Sequence, residues 1–192
     1  MYRVQAIILY RQIIRDNQVR TVLFSHDFWK ITAWEKWHQW WDIWSTVEVL
    51  IERASWQNQL KKIDIQKTPS HSGWSYEELS EYLYLFQMLY MSLPDWVEHL
   101  GLYKDLVCFL HTIDSIVWKV YFITCMQARI MKNLGYLDNS YYSKNPILLK
   151  FYKDTLSWSM KSMLWENTLS SVEYTIIRSS ILEARHTYNY RN

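Results

Sequence analysis

Glycine and proline are nearly absent from this 192-residue chain, at three of each. Average shares are about 7% and 5%. Sheet proteins use these residues at tight turns, so their scarcity argues for a helical chain with few connections. Alanine is also sparse, with only Ala6, Ala33, Ala54, Ala128 and Ala184. A sequence designed for helix propensity would hold more Ala, Glu and Lys. There are two cysteines, Cys108 and Cys125, 17 positions apart. On one continuous helix they would stand roughly 25 Å apart, too far to bond, which favours reduced thiols and a cytoplasmic setting. No stretch reaches the ~18 apolar residues of a membrane-spanning helix. The apolar run Ala6–Tyr10 is too short for a signal-peptide core. The net charge of +2 is too small to argue for a nucleic-acid partner. Arg3, Arg11, Arg15 and Arg20 read as the solvated side of a first helix.

What the chain does have is tryptophan, 12 residues of it. Trp34, Trp37, Trp41 and Trp44 recur at i, i+3, i+7 and i+10, which places them on one side of a helix. Glu35, His38 and Asp42 follow their own i, i+3, i+7 line around the same helix. With 49% apolar and 21% charged residues, the chain is globular, and its length suits one domain over residues 1–192.

The pattern predicts a helix over Tyr2–Phe24 and a second from Phe28 to about Ile65. Thr68–Gly73 is a loop. Ser75-Tyr76-Glu77-Glu78 matches a capping box opening a helix that ends near Ser92. A short turn follows, stopped by Gly101 as a C-cap. A helix over Leu102–Leu134 ends at a C-cap Gly135. Asn145-Pro146 opens the last segment, which runs to about Tyr188. The expected fold is an all-α antiparallel bundle of five or six helices, two or three of them long.

Two Glu-x-x-His units stand out, Glu35-Lys36-Trp37-His38 and Glu183-Ala184-Arg185-His186. On a helix, each would direct a carboxylate and an imidazole to the same side. Asp154 precedes Glu183 by 29 positions. These units resemble the ligand helices of ferritin-like carboxylate proteins. The resemblance implies a dinuclear metal site, a di-iron pair or other divalent ions, held by Glu35, His38, Asp154, Glu183 and His186. Before Glu35 the family's lone acid is poorly matched, by Asp16 or Asp27. A second group comprises Phe151-Tyr152, Leu156 and Trp158, then Tyr174-Thr175-Ile176-Ile177-Arg178 with Ile181-Leu182. It is similar to the final helix of type I interferons, as is Gly73-Trp74 to a loop of that family. That resemblance implies a secreted cytokine, although Ser171 and Val172 stand where the family has a half-cystine.

The leading expectation is a helical-bundle interaction protein. It would bind a protein partner or an apolar ligand, not nucleic acid, through Trp34, Trp37, Trp41 and Trp44, with no cofactor. A carboxylate-bridged oxidase is the alternative, and a cytokine the third.

Overall fold

A computed structural model describes residues 1–14, 18–36, 43–54, 57–93, 100–135, 137, 142–143, 145–153 and 171–189. It overturns the all-α bundle. The first third of the chain is five strands: β1 (Tyr2–Ile13), β2 (Gln18–Ser25), β3 (Trp29–Lys36), β4 (Thr46–Arg53) and β5 (Asn58–Lys67). They close into a barrel in the order β1-β2-β3-β5-β4. All pairings are antiparallel except β3 with β5. This is the arrangement of the five-stranded Greek-key barrel called the OB fold.

Strand β1 closes the barrel by serving two neighbours. Its Tyr2–Ile7 half pairs with β4, and Ala6–Ile13 pairs with β2 across a bulge between Ile8 and Tyr10. A bulge bends a strand and increases its twist, which lets one strand turn from one partner to the next. The interior is filled by Val4, Ala6 and Ile8 from β1, Leu23 from β2, Ile31 and Ala33 from β3, and Val47, Val49 and Ile51 from β4. These residues alternate along each strand, as the pleat requires.

The outward residues Ile7, Leu9, Val22 and Phe24 are buried too, because helices belong to the same compact unit. That unit comprises Met1–Trp74 and Phe86–Ser115. It contains the second half of α1 (Tyr76–Ser92), all of α2 (Leu100–Thr112) and a 3-10 turn at Ile113–Ser115. Tyr90 of α1 stacks on Tyr10 at 4.5 Å, and Tyr103 of α2 meets Phe24 edge-on at 5.6 Å. Strands covered on both faces read as continuous apolar runs rather than alternating ones. That is the physical reason β1 and β2 mimic a helix over Tyr2–Phe24.

Scarce glycine does not prevent the turns. Ser25 Oγ accepts from the backbone N–H of Phe28 at 2.9 Å in the β2–β3 turn, a side-chain device that serves in place of glycine. Trp29 and Trp44 adopt left-handed backbone angles, φ 58° and 72°, a conformation uncommon outside glycine. The expected helix over Phe28–Ile65 is therefore three strands. Trp34 lies on β3 and Trp44 in the turn before β4, so the four tryptophans do not share one helical face. Trp37 and Trp41 lie outside the described residues.

The second compact unit comprises Ser75–Leu85 and Ile116–Asn192. Its described helices are the first half of α1, then α3 (Lys119–Asn133), α4 (Pro146–Phe151) and α5 (Ser171–Asn189). Phe122 to Met131 of α3 are all buried, as expected of a helix enclosed on every side. Gln127 on α3 donates to Glu81 Oε2 at 2.9 Å, and Arg178 on α5 pairs with Glu77 at 2.6 Å.

Several local signals hold. Ser75 N–H donates to Glu78 Oε2 and Glu78 N–H donates to Ser75 Oγ, completing the capping box. Asn145 Oδ1 accepts from the Ile147 N–H at 2.9 Å, ahead of Pro146 at the helix start. Gly135 takes φ 79° just beyond α3. Two others fail. Gly101 lies within the first turn of α2, and the helix expected over Leu102–Leu134 is broken between Thr112 and Lys119. Cys108 and Cys125 thus sit on different helices, and neither is in a disulfide. Among the described residues, no helix is long and apolar enough to cross a membrane.

Candidate nucleic-acid interface

The outward face of β2 and β3 is set by their register. Gln18 opposes Lys36, Arg20 opposes Trp34, Val22 opposes Thr32 and Phe24 opposes Lys30. One end of this face is covered: Phe24 lies against Tyr103, and Lys30 sits 5.5 Å from the Tyr90 ring and donates to the Leu93 carbonyl. The other end carries Gln18 and Lys36, both exposed, with Arg20 and Trp34 half-buried.

Beside that open end the barrel has a seam. β3 and β5 pair only at Ala33–Asn58 and Trp34–Gln59. Beyond these pairs a groove of about 530 Å³ opens. Its walls include Trp34 and Lys36 from β3 and Gln59, Lys61 and Lys62 from β5, while Leu60 and Ile63 of the core also reach it. A register shift between Leu50 and Ile51 of β4 leaves Lys61 as an extra residue in β5. Bulges commonly re-aim a side chain in this way.

Among the described residues, the groove has one aromatic ring and three lysines. Lys61 pairs with Glu52 at 2.7 Å and Lys62 with Asp64 at 2.7 Å, all four side chains substantially exposed. The Lys61 hydrogen bond holds the Glu52 carboxyl below its usual range. Exposed pairs of this kind are screened by solvent and contribute little, so an incoming phosphate can displace them. Lys36 has no carboxylate partner among the described residues.

Glu35 lines the groove as well, in a role far from the expected metal ligand. Its Oε1 accepts from Arg11 Nη2 at 2.6 Å and from Thr21 Oγ1 at 2.8 Å. The Glu35 and Arg11 side chains are only 9% and 10% exposed. The i, i+3 argument fails here because successive strand residues alternate between faces. Glu183 is an exposed residue of α5, and His186 belongs to the same helix. His38 and Asp154 lie outside the described residues, as does Asp16; Asp27 is in the β2–β3 turn, 2.6 Å from His26. No group of three metal-ligating side chains occurs among the described residues. The ferritin-like bundle is overturned by the barrel fold, and no di-metal cluster occurs among the described residues. The interferon-like bundle falls with the all-α fold, since barrel strands occupy the chain's first third.

The four arginines of the supposed first helix separate once the segment is strand. Arg3 pairs with Glu48 at 3.1 Å, Arg11 with Glu35, and Arg20 stands beside Trp34; Arg15 lies outside the described residues. Lys61 and Lys62 were not singled out by sequence. Neither was the closeness of β5 to β3, which only the crossover topology creates.

Comparison with protein-family models and with curated proteins returns no match for this chain.

Proposed function

We propose that this chain is a single-stranded nucleic-acid-binding protein, working through the open seam of its barrel. The observation that carries the reading is the groove itself, lined by Trp34 and Lys36 of β3 and by Lys61 and Lys62 of β5, with Arg20 of β2 opposite Trp34 in register. Barrels of this topology bind oligonucleotides or oligosaccharides on the face of their second and third strands, to which Trp34, Lys36 and Arg20 belong. Single strands are held by cations that track phosphates and aromatic rings that stack on bases. Both kinds of group line this seam. The topology is support by analogy; the cations and the ring are the physical argument.

The reading departs from the whole-chain charge argument. A net charge near zero averages over the chain, whereas a strand of nucleic acid meets only the local field. Sugar binding is the rival use of the same barrel. Neutral oligosaccharides carry no charge for the three lysines to neutralise, so salt dependence separates the two.

The test is fluorescence anisotropy of labelled single-stranded DNA with the full chain over a range of salt. The expected outcome is binding that weakens steadily with salt, with a logarithmic slope of roughly −0.7 per phosphate neutralised, and weaker binding to duplex. Salt-independent binding, or none, contradicts the proposal.

A further inference from the structure

At the seam the groove is bordered by both faces of β3, which is why the outward Trp34 and the inward Glu35 both line it. Leu60 and Ile63 line the same groove as Trp34 and Glu35, so a base stacked on Trp34 has both apolar surface and a carboxylate within the groove. Of the two Glu35 oxygens, Oε1 takes the bonds from Arg11 and Thr21, and Oε2 takes none among the described residues. The side chain is more than nine-tenths buried, so this oxygen is an acceptor held in place rather than a mobile surface charge. Arg11 offsets the negative charge, so the carboxylate can line a phosphate-binding groove without repelling the strand.

We infer that Glu35 is a specificity-determining residue, selecting bases that present an exocyclic amine to the seam over those that present a carbonyl oxygen at that position. This rests on the nucleic-acid reading above. A carboxylate is a hydrogen-bond acceptor only. It accepts from the exocyclic amine of cytosine, whereas uracil offers a carbonyl oxygen at the same ring position. A carbonyl brought against a buried carboxylate leaves two acceptors facing one another, both stripped of water. Arg11 and Thr21 orient the carboxylate from behind and so fix the direction of its free lone pairs.

The experiment compares oligo(dC) and oligo(dU) of equal length, at mildly alkaline pH, with the full chain. The two bases are close in size and differ at the edge that Glu35 would read. The expected result is tighter binding of oligo(dC) by about tenfold, the discrimination of one well-made base contact. In Glu35→Gln the amide keeps an oxygen for Arg11 and Thr21 while offering an N–H to the groove, so the preference should vanish or reverse. If that variant does not fold, oligomers of N4,N4-dimethylcytosine with the wild-type chain replace it, and they should lose the advantage of cytosine. Equal affinity for oligo(dC) and oligo(dU) in the wild type overturns the inference and leaves the binding reading standing. An unchanged preference in a folded Glu35→Gln, or undiminished binding of the dimethylated oligomer, overturns it as well. Failure to bind any oligonucleotide removes both readings together.

Discussion

Glu35 shows how much a residue's meaning depends on the backbone that carries it. On a helix it would share a side with His38; on β3 it closes the barrel's open end through Arg11 and Thr21. A buried pair that loses one partner leaves an uncompensated charge, which costs about 3–5 kcal/mol. Arg11→Met and Glu35→Leu should each destabilise the fold on that scale in urea unfolding. The double variant should recover much of the loss; simple additivity of the two would contradict the pairing. Burial also pushes Tyr103 up to about 12, with Asp27 adding to the rise, and it pushes the fully enclosed Cys125 thiol up to about 12. In both, the folded state holds its proton more tightly than the unfolded chain. Their contributions are complete below pH ~9–10, where the unfolded groups begin to ionise, and are lost as pH rises toward 12. Stability should therefore fall across that window, and Tyr103→Phe should flatten the fall. A slope unchanged in that variant would contradict burial as the cause.

Elements differ in how openly the sequence announces them. Ser75 with Glu78, and Asn145 ahead of Pro146, are local signals whose partners lie within three residues, so they are readable without knowing the fold. Ser75→Ala should lower stability by about 1 kcal/mol through the lost cap, measured as a shift in the urea midpoint; no shift would mean that the cap is idle. The strands are harder to read. Ile7, Leu9, Val22 and Phe24 are buried on the outer side while Val4, Ile8 and Leu23 fill the interior. The two-residue period is erased, and what remains resembles a buried helix. Better signals were present in the β-branched residues of Val19-Arg20-Thr21-Val22 and the alternation through Ile31-Thr32-Ala33-Trp34, which favour strand. Scarce glycine argues against strands, yet Ser25 and the left-handed Trp29 and Trp44 make the turns without it. Of the candidate site, Trp34 and Glu35 were legible as unusual residues. Their partners were not: Gln59, Lys61 and Lys62 reach the same groove only because β5 crosses to lie parallel to β3.

For the molecule as a whole, the barrel unit holds the groove and the helical unit has its own polar lock at Glu77, Glu81, Gln127 and Arg178. The central claim is that the barrel seam grips single-stranded nucleic acid with Trp34 as its stacking platform. Base–aromatic stacking is worth about 1–3 kcal/mol per base, which sets the size of the effect to seek. The most direct measurement is the affinity of a labelled single-stranded oligonucleotide for the full-length Trp34→Ala variant, with its fold verified by circular dichroism. The account predicts binding roughly ten- to a hundredfold weaker than wild type, in line with the loss of one stacked base. A correctly folded Trp34→Ala chain that binds the oligonucleotide as tightly as the wild type would contradict it.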